Sequence, residues 1–598
     1  MASHDDVTAA AAAVTDYANP QDQPAARARV WPAAALVLAF WAVFIGLRIG
    51  GVPMFRQFLG QVGALLILLL SFTIWWAVDA RGRRGERLIA ILALVGGAIL
   101  AILLASKTFQ GPQLLMSALP WVFTAWALWA ILARRADPKL RRRGLVVAIL
   151  LAWCPFLLLR TEGLRGDGGA EFRWRWSPTA EDRYLAQLHN LTASGTRPAT
   201  QMAPVVASQG DWPAFRGPDR DGVVRGVRIA TDWAANPPKL CWKEPVGPGW
   251  SSMSVVGGRV FTQEQRDQSE AVVCRDADTG RELWAHTDAG RFWDSLSGAG
   301  PRATPTFADG RLYTLGATGL LNCLDPASGA RIWSRDIAAD SGAKMPIWGF
   351  ASSPLVTHGL VIVFAGGEGK GLLAYNARTG QPAWTAPAGK HCYSSAQLAV
   401  LGGEEQVLFW DDRGLLAVDP ATGKPRWELA ISGASAMPRS VQPHVIAGTR
   451  VAVASDVETT VVEPHRQGDQ WTSADRPWTS SAFRPSFNDF VLHDGAFLYG
   501  LDGGNLVCID ANDGHRRWRK GRYGAGQLLL LADQSLLLVL CESGDLALVA
   551  AKPDAHHELA RIPDAITGKT WNHPAIAQGR LYIRNGQEMA CFALPLAR

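Results

Sequence analysis

RDADTGRELW, residues 275–284, is the stretch that decides the fold. It recurs as LDPASGARIW (324–333), YNARTGQPAW (375–384), VDPATGKPRW (418–427) and IDANDGHRRW (509–518), with a degenerate copy, VEPHRQGDQW (462–471). The period is about 47 residues, the length of one four-stranded propeller blade. Each copy has the same physics. A strand runs into Asp or Asn, whose side chain accepts from backbone N–H groups of a turn. Gly supplies the positive φ of that turn. The next strand carries Trp two or three residues in, where a large flat ring packs between blades and buries roughly 150–250 Å². Upstream of the copies, runs such as GRLYTLGATGLLNCLD (310–325) give two short alternating strands around a Gly-containing hairpin.

A propeller must close its ring. KLCWKEP, around Trp242, has an outer-strand Trp with no strands of its own before it. The C-terminal HPAIAQGRLYIRNGQEMACFAL (573–594) has inner strands and no Trp after them. Pairing the two completes one blade from both ends of the domain and removes its exposed edges. Trp284, Trp333, Trp384, Trp427, Trp471 and Trp518, a weak copy around residues 525–562, and the closing blade make eight.

The first quarter is of another kind. Hydrophobic residues make up 48% of the 598 and charged residues 19%, and the apolar ones concentrate here. Four runs approach the roughly 20 residues a bilayer core requires: Trp31 to Gly50, Phe58 to Val78, Leu88 to Ser106 and Gln113 to Ala133. A shorter fifth, Gly144 to Leu159, is free of charge. Basic residues cluster in the second loop (Arg81, Arg83, Arg84, Arg87) and the fourth (Arg134, Arg135, Lys139, Arg141, Arg142, Arg143). By the positive-inside rule both are cytoplasmic, so five crossings leave everything after Leu159 outside, in the periplasm of a Gram-negative cell. The lipid bilayer is therefore an expected partner. The net charge of +6 does not indicate nucleic acid, because so much of it lies in those two clusters. The expected organisation is a disordered cytoplasmic tail (1–30), a helical membrane domain (31–160), an amphipathic helix capped by Ser177 with a linker (161–209), and the propeller (210–598).

The Asp–turn–Gly–Trp repeat resembles the pyrroloquinoline quinone (PQQ) type of propeller repeat. DWPAFRGPDRDG (211–222) and VGPGWSSMSVVGGRVFTQE (246–264) resemble bacterial PQQ-binding-like proteins over roughly residues 210–598. The resemblance implies an all-β eight-bladed propeller and leaves two functions open. Some relatives are envelope-assembly lipoproteins that only bind partners. Others are quinoprotein dehydrogenases, and the helix block is similar to those that pass electrons to ubiquinone. Such an enzyme holds PQQ with calcium through oxygen ligands, uses an Asp base, and sets Arg or Lys on the quinone carbonyl with a Trp on its ring.

The loops that precede each innermost strand supply the funnel candidates: Trp250, Arg302, Trp348, Lys390, Tyr393, Arg484, Trp571 and His573, with His391 and Arg439 beside them. They are Ser-rich, aromatic and basic, and nearly free of Asp and Glu. Such a funnel attracts an anion, but it shows no catalytic carboxylate and no metal ligand set. The same residues also read as strand-entry packing, with steps such as Ser352-Ser353-Pro354 starting the inner strands. Asp219 and Asp221 read as an Asx turn. The expectation is a binding or envelope-assembly module for an envelope protein or small anion; the alternative is a PQQ-dependent dehydrogenase. The eight Cys contain no CxxC pair. Cys274, Cys323, Cys508 and Cys591 share one repeat position as small buried hydrophobes, and Cys241 falls on the strand neighbouring Cys591, which leaves a disulfide between these two open in an oxidising compartment. His391-Cys392 is discounted as a nucleophile pair because adjacent strand residues face opposite ways.

Overall fold

The computed structural model describes residues 30–50, 54–78, 84–109, 111–165, 169–193, 203–431, 438–468 and 470–597. The expected tail up to residue 29, the basic Arg81 and Arg83, and linker residues 194–202 lie outside these. The chain divides into a helical unit, up to Leu47 and from Leu59 to Leu159, and a second unit, Arg48–Phe58 with Arg160–Arg598, that holds the propeller.

The helical unit contains α1 (Trp31–Ile49), α2 (Met54–Val78), α3 (Arg84–Leu104), α4 (Gly111–Leu132) and α5 (Pro138–Leu157). Four helices, Trp31–Ile49, Gln57–Val78, Arg87–Leu104 and Gly111–Arg135, are long and apolar enough to cross a membrane. The fifth predicted run is helical but falls short. Lys139, Arg141, Arg142 and Arg143 open α5, leaving the charge-free Gly144–Leu157, about 21 Å against a core of about 30 Å. Even so, Leu145, Ile149, Trp153 and Phe156 of α5 join the same buried cluster as Phe72, Phe123 and Trp126. Gly144 lets α5 approach the Trp129 ring of α4 closely, and the Trp129 Nε1 donates to the Arg141 carbonyl (3.0 Å).

The second unit is an eight-bladed propeller. Blades 1 to 6 start at Ser254, Thr306, Leu355, Gln397, His444 and Phe490, each four antiparallel strands in sequence order from the channel outward. Blade 7 starts at Gln527 and gains Val223–Val224 as a parallel fifth strand on its inner edge. Blade 8 takes Ala575–Ala577, Arg580–Arg584 and Glu588–Ala593 from the C-terminus and Lys239–Pro245 as its outermost strand, with Cys591 opposite Trp242. The ring therefore closes as the two half-motifs require.

The repeat motif interlocks adjacent blades. Trp284 of blade 1 donates Nε1 to Pro326 O (3.1 Å), the carbonyl after the turn Asp325 of blade 2, and its ring lies against Gly329 of that turn. Trp242, Trp333 and Trp384 repeat the bond to Ala277, Ala377 and Pro420. Thus the Gly of the motif has two duties: it takes positive φ, and it leaves room for the preceding blade's indole. Blade 5 corrects one expectation. Its equivalent Trp is Trp478, which donates to Ala511 O (3.0 Å) and lies on Gly514. Its third and fourth strands, Thr459–Gln467 and Gln470–Ser480, form a lengthened hairpin. Trp471 near the tip of that hairpin instead reaches Glu404 of blade 4 (2.9 Å).

Residues 160–193 add an element and shift another. Ahead of the expected helix, Ala170–Trp174 pairs with Leu159–Leu164 as a hairpin. The helix, α6 (Ala180–Ala193), starts later because Thr179 and Asp182 cap it reciprocally. The Asp182 N–H donates to Thr179 Oγ1 (2.9 Å) and the Thr179 N–H to Asp182 Oδ2 (2.7 Å). Its inner face docks on blade 1. Glu181 pairs with Arg291 (2.8 Å) and the Tyr184 hydroxyl donates to buried Glu264 (2.8 Å).

Candidate functional site

The channel is organised by two polar layers. At the strand entries a hydrogen-bonded belt passes through all eight blades. Asn572 donates to Ser251 O (2.7 Å), Ser252 N to Thr304 Oγ1 (3.1 Å), Thr304 N to Ser353 Oγ (3.0 Å) and Ser353 N to Ser395 Oγ (2.9 Å). Tyr393 N donates to Arg439 O (2.7 Å) and Gln442 N to Asp489 Oδ2 (3.4 Å). Asn488 donates to Gly526 O (2.5 Å) and Gln527 to Trp571 O (3.0 Å), which returns the belt to blade 8. The Ser, Asn and Gln of the funnel loops are thus strand-entry structure, since each buried polar group must find a partner.

Deeper lies a plug made by DWPAFRGPDRDG, which touches every blade. Trp212 exchanges backbone bonds with Val255 of blade 1 (2.8 and 2.7 Å), and Phe307 N of blade 2 donates to Pro213 O (2.8 Å). Arg220 reaches Ser353 and Pro354 carbonyls of blade 3 (3.2 and 3.1 Å), and Gln397 of blade 4 donates to Asp219 O (2.9 Å). Arg216 meets His444 of blade 5 (2.9 Å) and Asp489 of blade 6 (3.0 Å). Leu530 N of blade 7 donates to Gly222 O (3.0 Å), and Gln578 of blade 8 to Asp211 Oδ1 (3.1 Å). Asp221 does make the expected Asx turn, accepting from Val223 N (2.9 Å). Asp219 and Asp221 both pair with Arg225 (3.0 and 2.9 Å).

The predicted site residues separate into groups. Trp250 and Trp571 lie together with ring centroids 5.1 Å apart. Lys569, which was not predicted, stands over both, 5.1 Å from the Trp250 ring and 4.4 Å from the Trp571 ring. Burial holds the Lys569 ammonium below its ordinary pKa, although Glu171 opposes this. Arg302, Trp348 and Tyr393 form a second group. The Arg302 guanidinium donates to Asp294 and Ser297 and to Trp348 O (2.6 Å), while the Trp348 and Tyr393 rings lie 4.9 Å apart. Ser297 links the groups by accepting the Trp250 Nε1 (3.0 Å).

Arg484 stands apart beside Asp502, with its backbone N–H bonded to that carboxylate (3.1 Å). Lys390 and His391 are exposed. Arg439 lies 4.7 Å over the Trp410 ring. His573 belongs to the plug: its ring meets Phe215 at 4.9 Å. Burial and the nearby Arg216 lower its pKa to about 3, against the pull of Asp489. Cys392 is no nucleophile. Its buried thiol donates to Trp410 O (3.0 Å), and burial and Asp411 push it well above its ordinary pKa.

The expectation of a funnel nearly free of acid needs correction. Asp502 ends the second strand of blade 6, Glu542 follows the second strand of blade 7, and Asp294 comes from the stretch before blade 2, all outside the loops that the sequence singles out. Each is already engaged: Asp294 by Arg302 and Ser297, Asp502 by Arg484, and Glu542 by the Trp571 Nε1 (2.9 Å) and Ala525 N (3.0 Å). Among the described residues no three His, Cys, Asp or Glu side chains gather to hold a metal ion. PQQ with calcium calls for such oxygen donors beside a free Arg or Lys. Arg302, Asp294, Asp502 and Glu542 are spent on one another and on the fold, and the cations left over, exposed Lys390 and Lys569 above the Trp pair, have no metal-holding group beside them among the described residues, so these residues do not fit the group.

Residues 268–520 match the family model described as outer membrane protein assembly factor BamB. A 137-residue stretch is 31% identical to the quinohemoprotein alcohol dehydrogenase ADH-IIG of Pseudomonas putida, covering 22% of this chain and 18% of that enzyme. The chain thus spans less than a fifth of that relative. Among solved structures, BamB from Moraxella catarrhalis is 13% identical with a TM-score of 0.43, over 60% of this chain and 100% of that one. Quinohemoprotein alcohol dehydrogenase from Comamonas testosteroni is 14% identical with a TM-score of 0.48, over 70% and 85%.

Proposed function

We propose that this propeller of PQQ-type repeats, whose residues 268–520 match the BamB family model, is a non-catalytic binding module for an envelope protein. One observation carries that reading: Arg302 and Arg484, the channel-mouth arginines that could meet an anion, are each set against a carboxylate. Arg302 with Asp294 and Arg484 with Asp502 are structural pairs. Beside exposed Lys390 and His391, the mouth also presents apolar groups outward. Met345 is 51% and Ile347 83% exposed, next to Trp348, on the loop that leads into blade 3. Exposed apolar groups beside anchored aromatics suit a protein partner. The helical unit would hold the module in the inner membrane. On this reading α5 is a fifth crossing despite its short charge-free stretch, with its basic start cytoplasmic and the propeller in the periplasm.

The reading is tested by adding PQQ and calcium to the purified full chain, then measuring cofactor absorbance after gel filtration and dye reduction with alcohols and aldoses. Neither signal is expected. Stoichiometric retention of PQQ with dye reduction would establish the dehydrogenase in its place. A photo-crosslinker at Ile347 in living cells is expected to give one discrete adduct that Trp348→Ala abolishes; the binding role fails if no adduct forms. Alkaline phosphatase fused after Arg598 is expected to be active, and inactivity would overturn the periplasmic placement.

A further inference from the structure

In most blades the third and fourth strands meet at the same bulge, one residue before the motif Trp, where two residues of the outer strand oppose one of its neighbour. Leu283 is the extra residue in blade 1, Ile332 in blade 2 and Arg517 in blade 6, facing Cys274, Cys323 and Cys508. Those cysteines have no sulfur across from them. Blade 8 differs. The extra residue is Cys241, and the residue that it and Trp242 together oppose is Cys591.

Cys241 sits at the bulge beside Trp242, across the strand pair from Cys591, and its proximity adds to burial in pushing the Cys591 thiol up to about 12. Cys241 is exposed and Cys591 fully buried. Neighbouring positions on paired strands satisfy the Cα separation of about 4.4–6.8 Å that a disulfide requires. The place matters too. Blade 8 is where strands from the two ends of the propeller meet, held otherwise by backbone bonds, side-chain packing and the Lys243–Glu588 ion pair (3.4 Å).

We propose that Cys241 and Cys591 are a disulfide site that seals the propeller ring covalently. The oxidant is an external disulfide, either a thiol–disulfide oxidoreductase or a small-molecule disulfide. The exposed Cys241 attacks it as thiolate, forming a mixed disulfide and releasing one thiol. Cys591 loses its proton, attacks the Cys241 sulfur and releases the second thiol. Two protein thiols are oxidised, one external disulfide is reduced to two thiols, and the buried partner never meets solvent oxidant directly. Formation of the bond in the cell rests on the periplasmic placement proposed above; formation in the purified protein does not.

The test uses full-length protein in detergent, treated with oxidised glutathione. Denatured free thiols, eight in the sequence, are expected to fall to six, with one peptide pair joined through Cys241 and Cys591 by mass spectrometry under non-reducing conditions. Cys241→Ser, an exposed position, is expected to prevent that peptide pair from forming. Oxidation is expected to raise the unfolding temperature of the wild type by several degrees, a shift that Cys241→Ser abolishes. Thiols that all survive, or a different linked pair, would overturn the site. Alkylation of intact cells before lysis separates the two proposals. A pair that oxidises in vitro but is found reduced in cells supports the site and defeats the periplasmic placement.

Discussion

Trp284 and Gly329 show how one residue pair serves a whole boundary between blades. Gly329 has φ +72°, and a Cβ there would lie 2.5 Å from the Trp284 ring. Gly329→Ala therefore meets both left-handed strain and a clash, and is expected to lower stability by about 2–4 kcal/mol. Gly310 has φ +70° with open space around it, so Gly310→Ala meets the strain alone, about 1–2 kcal/mol. Denaturant titration of the two variants checks the difference. The sequence motif made this Gly legible for its φ but not for its second duty, because the ring that sits on it belongs to the preceding repeat. Trp478 was concealed for a related reason. VEPHRQGDQW matches the motif in spacing, while the hairpin runs past it to place a later Trp at the boundary.

The plug is the element whose role local sequence could not disclose, because the blade partners of Arg216 lie more than 200 residues away, at His444, Asp489 and Phe490. Arg216 and Asp489 are both buried. Arg216→Met strands a buried carboxylate and is expected to cost about 3–5 kcal/mol. Adding Asp489→Asn should recover part of that loss, since the lone charge is then removed; thermal unfolding of single and double variants measures the coupling. The plug also sets an acid response. His573 is held near pKa 3 in the folded chain against about 6.5 unfolded. The unfolded chain then binds the extra proton, so stability present above pH 6.5 is lost as pH falls toward 3. Asp489, lowered to about 2 by Arg216 and His444 against the effect of burial, adds a loss below about pH 4. His573→Gln is expected to flatten the stability profile between pH 6.5 and 4, and an unchanged slope would contradict the assignment.

At the scale of the molecule, ring closure was readable from two incomplete motifs, Trp242 and the strands before Cys591, since each lacks what the other supplies. The helical block was readable from apolar run length, except that α5 opens with four cations that shorten its apolar stretch. The channel mouth was not readable in the same way. Its carboxylates sit at the ends of second strands and in the stretch before blade 2, where no motif marks them. Its serines were legible as strand-entry residues, but the belt they close was not, because a circle has no signature within any one blade.

Repeat proteins ordinarily come apart piecemeal, since each unit leans only on its neighbours. Here one short stretch of chain, Gly210 to Val224, is fastened to all eight blades at once, like a hub to its spokes. No sector can loosen without disturbing the hub, so denaturation of the propeller should proceed as a single event with coincident fluorescence and circular dichroism curves. The same hub makes the bore a blind cup and not a tube: whatever enters must leave by the way it came.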